Sequence, residues 1–398
     1  MHSYQVIALL FIGYIIFTID KKQKNFPVPM VLLLIGIGLS FIPYFSSAHV
    51  TKELIFNWFL PALLFISAYQ FPFSHFKKNI GLIGILSTLG LMLTAFLLGI
   101  SIYWISMPFL SLSFVGAMLI ASMLTPTDPV SVVSILKNSS KDPTIADVVE
   151  GESMVNDGTS IVLFTVFAGM FLKDNSFSVS SFLTDFILVS LGGIFIGVAF
   201  GWFVSKAVHF THHRQYQVML SIVLAYGSFY IAEHLGVSGV LASVSAGIML
   251  SWEFGHTIKE TDYREYLDGF WEVVEPSILA IIFLLIGIEA ANYLVSEQWG
   301  FVLIIFVISL IIRFFVLAGI IKLFPTWRKK FDWKAISLIT WSGIKGTMSV
   351  ALLLSLKSES GSDAETIMSL TFGAVLLSLI IQSMLIYPLS SLFQKKHA

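Results

Sequence analysis

The chain has 398 residues, of which 56% are apolar and 12% charged, and its net charge is −1. A soluble protein of this length carries about twice that charged fraction, so the composition is typical of a membrane protein. The chain has no cysteine, which excludes disulfides, thiolate metal sites and thiol catalysis. No hydrolase, metalloenzyme or phosphate-loop motif stands out, so we expect no enzymatic activity, no cofactor and no nucleic-acid partner.

Apolar runs near or above the roughly 20 residues that cross a bilayer as a helix recur along the chain. Helices satisfy their own backbone in lipid, so the sequence predicts an all-α polytopic membrane protein with one transmembrane domain over residues 1–398. The thirteen predicted spans are 4–19, 28–45, 54–71, 80–105, 113–136, 145–172, 180–207, 215–234, 236–251, 270–292, 299–321, 333–356 and 366–392.

Basic residues alternate between the predicted connections. Eighteen lie in odd-numbered connections and the C-terminal tail, and only Lys52, Lys173 and Lys357 lie in even-numbered ones. Basic residues accumulate on the cytoplasmic side of membrane proteins. The pattern therefore predicts an external N-terminus and a cytoplasmic C-terminus in the plasma (inner) membrane.

Span five is interrupted at its centre by Leu124-Thr125-Pro126-Thr127-Asp128-Pro129, which sets a carboxylate between two prolines. Each proline removes a backbone donor and clashes with the preceding turn. Unwound backbone at membrane depth is tolerated only where it lines a polar cavity or is buried in protein. We therefore expect an unwound segment here rather than a kinked helix.

Span twelve carries a matching interruption, Ser342-Gly343-Ile344-Lys345-Gly346-Thr347, and crosses in the opposite direction. Paired interruptions in oppositely oriented halves indicate two inverted six-helix repeats with crossed, interrupted helices. The predicted repeats cover 1–172 and 215–392, with a linker helix over 180–207. Half-helix ends carry partial charge, so Asp128 is expected to compensate facing N-termini and Lys345 facing C-termini.

Span six carries a cluster of oxygen ligands. Ser153 and Asp157 lie four residues apart on one helix face, and Glu152 and Asn156 share the adjacent face. Ionisable groups at this depth are costly and are functional candidates by default. Together with main-chain carbonyls freed around Thr127, these oxygens suit a hard monovalent cation such as Na+.

Exchange requires one group that accepts either ion. Removing a carboxylate from water favours its protonated form, so Asp157 is expected to hold either a proton or a cation, never both. This competition produces antiport when the unloaded carboxylate is unable to cross the barrier. Because Asn156 rather than a second acid lies beside it, one Na+ replaces one H+ and no net charge moves.

Two stretches, residues 127–130 and 151–158, resemble the signature stretches of the NhaP-type sodium/proton antiporters, a branch of the family that includes the mammalian sodium/proton exchangers. Weaker matches lie at residues 59–61, at 237–242 and at Arg313. The resemblance implies a homodimer that works by an elevator-like movement of the broken-helix core.

The resemblance also assigns roles to particular residues. It implies that Asn156 and Asp128 support the site and that Glu152 pairs with Arg313. The residues that it implies surround the ion are Asp157, Ser153, Glu152 and, through its main chain, Thr127. Two positions depart from the family pattern: Lys345 stands where arginine is usual, and Ile66 stands where glutamate is frequent. Lysine keeps the charge but loses the planar fork of arginine.

The leading hypothesis is electroneutral Na+/H+ antiport, with Li+ as a further substrate. K+/H+ antiport stays open, because ion selectivity depends on cavity dimensions. A sodium-coupled solute symporter is less favoured, since no polar or aromatic set for a solute is found. An ion channel is less favoured as well, since no repeated pore loop is present.

Two smaller patterns concern packing and access. Gly193, Gly197 and Gly201 form a stripe on span seven that predicts close helix packing, with a dimer interface as one candidate. Glu272 and Glu275 lie at the predicted cytoplasmic start of span ten, where they are candidates to shape an entry funnel.

Overall fold

The structure is a computed structural model. It describes residues 3–19, 27–45, 47–110, 112–128, 130–139, 143–173, 179–208, 214–254, 261–293, 298–357 and 362–394. Within these residues every regular element is a helix, so the predicted all-α class is confirmed. Pro129, the second proline of the predicted break, lies outside the described residues.

The helices follow the predicted spans in order. The first eight are α1 (Ser3–Ile19), α2 (Val28–Ser40), α3 (Leu60–Gln70), α4 (Phe73–Ile85), α5 (Leu91–Ser106), α6 (Phe114–Met123), α7 (Val130–Ser139) and α8 (Pro143–Lys173). The remaining ten are α9 (Val179–Val208), α10 (Arg214–His234), α11 (Gly239–Phe254), α12 (Thr261–Ala290), α13 (Trp299–Leu323), α14 (Pro325–Lys330), α15 (Trp333–Trp341), α16 (Thr347–Lys357), α17 (Ser362–Leu377) and α18 (Ser383–Gln394). Short 3-10 helices cover Pro43–Phe45 and Ala291–Tyr293.

Three segments of π-helix, in which the turn is widened by one residue, adjoin these helices at Leu54–Phe59, Leu86–Gly90 and Ser378–Gln382. The second joins α4 to α5 within one long span, and the third joins α17 to α18. The sequence pattern predicted none of them, because an apolar helix has the same composition whether its turns are α or π.

Six of the described helical runs are long and apolar enough to cross a bilayer, and shorter apolar helices occupy most of the other predicted spans. The chain is therefore an integral, multi-pass membrane protein. Several helices begin before their apolar run: span four begins at Phe73 rather than at 80, and span ten at Thr261 rather than at 270. Polar residues that continue a helix beyond the lipid carry no hydropathy signal, so the sequence underestimated these lengths.

Both predicted interruptions are present. Helix α6 ends at Met123 and α7 begins at Val130, while α15 ends at Trp341 and α16 begins at Thr347. The two breaks touch, since the main-chain N–H of Asp128 donates to the carbonyl of Ile344 at 2.7 Å. The expected fold of crossed, interrupted helices is confirmed.

The helices pack into two bundles, and each bundle takes helices from both halves of the chain. Bundle one contains α1–α3 and α9–α12, with α12 against α2 and α11 against α3 and α9. Bundle two contains α4–α8 and α13–α18, including both interrupted spans. The interrupted spans therefore lie in one bundle, and a surface of the other bundle faces them.

The glycine stripe of α9 is an internal packing surface of bundle one. A Cβ atom on Gly193 or Gly197 would collide with the main-chain carbonyl of Ser238 or Ala242 at the start of α11. Close helix packing is thus confirmed. This face is filled by the chain's own α11, so the stripe is not available as the dimer interface considered for it.

Candidate ion-binding site

Asp128 lies where the two breaks cross. Its carboxylate accepts from the main-chain N–H and from the hydroxyl of Thr347, both at 3.3 Å. Because Thr347 opens α16, the carboxylate faces the positive end of that helix. Gly346 makes this approach feasible, since a Cβ atom there would collide with the carboxylate. Asp128 therefore lies where a compensating anion is needed.

The unwound segment before Asp128 is bound to α8. The side-chain amide of Asn156 donates to Thr127 Oγ1 at 2.9 Å, and its oxygen accepts from the main-chain N–H of Thr127 at 3.4 Å. The hydroxyl of Ser153 donates to the main-chain carbonyl of Thr127. All three residues are buried. These bonds aim the freed carbonyl at the helix face that carries Ser153 and Asp157.

Asp157 has an oxygen without a partner. Its side chain lines a cavity of about 300 Å³ together with Ser153, Asp128 and Thr347. Within the part of the chain that the structure describes, its buried Oδ1 has no hydrogen-bond partner. Leaving a buried carboxylate oxygen unbonded costs free energy. A proton or a cation on this oxygen would remove that cost, which leaves Asp157 as the candidate reactive group of the site.

Glu152 forms the ion pair that the resemblance implies. Nη2 of Arg313, on α13, lies 2.9 Å from each carboxylate oxygen of Glu152, and both side chains are buried. The pair borders a small space shared with Asn156 and Thr125, not the cavity of Asp157. The fold therefore brings Asp157, Ser153 and Thr127 together and holds the Glu152 carboxylate on the far side of α8.

Lys345 is buried at the second break, within electrostatic reach of Arg313 and Glu152. Among the described residues, no hydrogen bond joins its ammonium to a carbonyl of either break. Its main-chain N–H instead donates to the hydroxyl of Ser378 at 2.8 Å. The structure thus brings Lys345 to the predicted position without joining its side chain to the residues around Asp157.

Sequence analysis missed a set of contacts that secures the second break. The side-chain amide of Gln382 donates to the main-chain carbonyl of Trp341 at 2.7 Å, and the indole of Trp341 donates to the carbonyl of Gln382 at 3.1 Å. Ser378 also donates to the side-chain oxygen of Gln382. Ser378 and Gln382 begin and end the third π-helical segment. The only signal in the sequence was two polar residues in an apolar span.

Comparison with known proteins identifies the family of the chain. Residues 7–392 match the family model described as sodium/hydrogen exchanger, transmembrane. The Na+/H+ antiporter NhaG of Bacillus atrophaeus is 33% identical over 392 residues, which cover 93% of this chain and 71% of NhaG. The Na+/H+ antiporter NhaP of Pseudomonas aeruginosa is 31% identical over 345 residues, which cover 85% of this chain and 80% of NhaP.

Among solved structures, the sodium/proton antiporter MjNhaP1 of Methanocaldococcus jannaschii shares the fold. It superposes with a TM-score of 0.76 over 97% of each chain, at 21% sequence identity. Crossed broken helices, a carboxylate beside the break and a family match over nearly the whole length thus agree. This chain belongs to the sodium/hydrogen exchanger family.

Proposed function

We propose that the chain exchanges Na+, and Li+ in its place, for H+, with Asp157 as the one carboxylate that holds either ion. The observation that carries the proposal is the unbonded Oδ1 of Asp157, which faces a cavity beside the freed carbonyl of an interrupted helix. The similarity to NhaG and NhaP, both named Na+/H+ antiporters, supports the choice of ions.

The proposed ligands are the Asp157 carboxylate, the Ser153 hydroxyl and the Thr127 main-chain carbonyl, all oxygens of the kind that a hard cation prefers. Glu152 contributes through its charge at longer range, since Arg313 occupies both of its oxygens. Asn156 and Asp128 hold the unwound segment in place, and Lys345 adds positive charge at the second break. In the proton-loaded state, one Asp157 oxygen carries the proton and the cation is absent.

We propose that exchange is electroneutral. Glu152 is paired with Arg313, and Asp128 is bound to the first residue of α16, so Asp157 is the carboxylate of this set that is free to change its load. One Na+ then replaces one H+. Clamping the membrane potential of proteoliposomes at different values with K+ and valinomycin should leave the exchange rate unchanged; a rate that follows the potential would contradict this stoichiometry.

The proposed setting is the plasma membrane, with an external N-terminus, a cytoplasmic C-terminus and a homodimeric assembly. The cavity of Asp157 reaches Lys137 and Glu150, which lie at the predicted cytoplasmic ends of α7 and α8. On this orientation, the cavity is the cytoplasmic entrance. Movement of bundle two against bundle one would expose Asp157 to the other side. The repeats 1–172 and 215–392, joined by the linker 180–207, would supply the symmetry of the two states.

The test is ion exchange by purified protein in proteoliposomes that contain a pH-sensitive dye. Addition of Na+ should move protons through the wild-type chain, and Asp157→Asn should abolish the signal because an amide cannot release a proton. Glu365→Gln, which removes an exposed carboxylate at the start of α17, should keep the wild-type rate. Full activity of Asp157→Asn would end the proposal, and the same assay with Li+ and K+ determines selectivity.

A further inference from the structure

The cavity that ends at Asp157 lies between the two bundles, and its walls differ. One wall is formed by α7, α8 and the two breaks of bundle two. The other wall is formed by α3 and α12 of bundle one, mostly through leucine side chains such as Leu60, Leu64 and Leu279. Ser67 and Gln70 of α3 add neutral polar groups to this wall, and Glu275 of α12 is its one ionisable side chain among the lining residues.

The charges that line the cavity do not balance. Its ionisable side chains belong to Asp128, Lys137, Glu150, Asp157 and Glu275. Lys137 pairs with Glu150, with 2.8 Å between Nζ and Oε2, and Asp128 is bound to the start of α16. After these pairings, the carboxylates of Asp157 and Glu275 are left without a positive partner in the described part of the chain.

No contact of Glu275 within the described part of the chain explains why a carboxylate lies at this position. Among the described residues it makes no hydrogen bond and no ion pair. The charged groups that act on it most strongly are themselves carboxylates, those of Glu150, Asp128 and Glu272. An exposed glutamate on the outside of a helix needs no explanation. A glutamate that faces a cavity among other carboxylates is repelled by them, and a cation in the cavity reduces that repulsion.

A negative charge in a narrow cleft with low-dielectric walls raises the local concentration of cations. Glu275 lies on the wall opposite Asp157, in the cavity that also contains Lys137 and Glu150, which lie at the predicted cytoplasmic ends of α7 and α8. We propose that Glu275 is a relay carboxylate on the entry path, which attracts the incoming cation and thereby determines the apparent affinity of Asp157 for it. This inference rests on the proposed exchange function and adds a second residue to it.

The expected behaviour follows from the charge of both substrates. Na+ and H+ are both attracted, so removing the charge weakens the binding of each at Asp157. At alkaline pH, where protons are scarce, the loss for Na+ appears directly as a higher KM. At acidic pH, protons compete with Na+ for Asp157. Because the substitution weakens the binding of both ions to a similar degree, the two effects offset each other and KM changes little. The expected change is therefore in KM. The maximal rate falls together with the rise in KM only where weaker proton loading at alkaline pH slows the return of the proton-loaded protein.

The test is the Na+ dependence of exchange in proteoliposomes at alkaline pH, with three substitutions of graded charge. Glu275→Asp should keep the wild-type KM, Glu275→Gln should raise it about tenfold, and Glu275→Lys should raise it further. Glu272, one turn away, does not line the cavity, but its charge acts on Glu275. The matched control is therefore Glu265→Gln, which removes an exposed carboxylate of α12 outside the cavity and should keep the wild-type KM.

Three outcomes would overturn the inference: an unchanged KM in Glu275→Gln, an equal effect of Glu265→Gln, or a loss of maximal rate with KM unchanged. A KM that follows the charge from Asp to Gln to Lys would support it, even if one of the three variants fails to fold. The proposed function is tested by a different result: it would be contradicted by a wild-type chain without exchange or by full exchange in Asp157→Asn, whatever the KM of the Glu275 variants.

Discussion

At the scale of single residues, the site depends on buried charges that are held by specific partners. Asp128 is bound by Thr347 and Glu152 by Arg313, whereas Oδ1 of Asp157 has no hydrogen-bond partner among the described residues. If Glu152 were also free, two neighbouring carboxylates on α8 would compete for the same protons. On the proposed mechanism, the ion pair with Arg313 therefore keeps Glu152 from competing with Asp157.

Removal of Arg313 should be far more damaging than removal of the whole pair. Arg313→Met leaves the Glu152 charge buried without a partner, which costs about 3–5 kcal/mol, whereas replacing both partners by neutral groups is close to neutral. The melting temperature of the purified protein in detergent should therefore fall in Arg313→Met and recover largely in Glu152→Gln/Arg313→Met. A double variant no more stable than the single one would show that the pair has another structural role.

At the scale of helices, the second break is held in place by the π-helical segment that joins α17 to α18. Helix α15 ends at Trp341, so its last carbonyls have no partner within the helix. The side-chain amide of Gln382 donates to the Trp341 carbonyl, and the hydroxyl of Ser378 accepts from the main-chain N–H of Lys345. The widened turn presents both side chains to the same break, which secures its geometry.

Gln382→Leu should destabilise the fold, because it removes the side-chain hydrogen bond to the partly buried Trp341 carbonyl, at a cost of about 1–3 kcal/mol. The measurement is the melting temperature in detergent. Ser390→Ala is the control in α18: among the described residues, the hydroxyl of this serine bonds the carbonyl of Tyr387, three residues earlier in its own helix, and no group of another helix, so its loss should change the melting temperature little. Equal melting temperatures for Gln382→Leu and the wild type would contradict the assigned role.

The helix breaks could be predicted from the sequence, whereas the contacts around them could not. Proline and glycine act locally on the backbone, so residues 124–129 and 342–347 marked both interruptions by themselves. The spacing of Ser153 and Asp157 likewise sufficed to put them on one face of α8. In contrast, the bond between Gln382 and Trp341 joins residues distant in sequence, and no local pattern encodes which helices will meet.

The glycine stripe of α9 illustrates the same limit. The pattern of Gly193, Gly197 and Gly201 predicted close packing correctly, but it did not identify the partner. The partner is α11, whose main chain passes so near that a single methyl group would collide with the carbonyl of Ala242. A stripe of small residues indicates that another helix packs closely. It does not indicate whether that helix belongs to the same chain or to a second copy.

Gly197→Ala should force α9 and α11 apart, because the new methyl group meets main chain rather than a side chain that can rotate away. Overpacking of this kind costs about 1–3 kcal/mol, and the melting temperature should fall. Gly84→Ala is the matched control: a Cβ atom there meets nothing within 4 Å, and helical alanine is favoured over glycine, so stability should stay equal or rise. A similar fall in both variants would contradict the packing argument.

At the scale of the whole molecule, the two bundles enclose cavities at both ends of their interface. The cavity of Asp157 lies against the first half of α8, at Glu150 to Asp157. A second cavity, of about 500 Å³, lies against the later half of α8 and is bordered by Thr165, Asp185 and Glu233. Between them, α8 meets α11 so closely that a Cβ atom on Gly158 would collide with Leu241. This contact forms a barrier between the two cavities.

This arrangement predicts that the two cavities open to opposite sides of the membrane. The chain has no cysteine, so a single introduced thiol reports its own access to water. Ser67→Cys, in the cavity of Asp157, should react with a membrane-impermeant maleimide in everted vesicles, whose outer face is cytoplasmic, and slowly in right-side-out vesicles. Thr165→Cys, in the second cavity, should show the reverse. Labelling of both thiols from one side would contradict the opposite openings, and the reversed pattern would contradict the topology derived from the basic residues. Equal labelling of Ser67→Cys from both sides would contradict the barrier between α8 and α11.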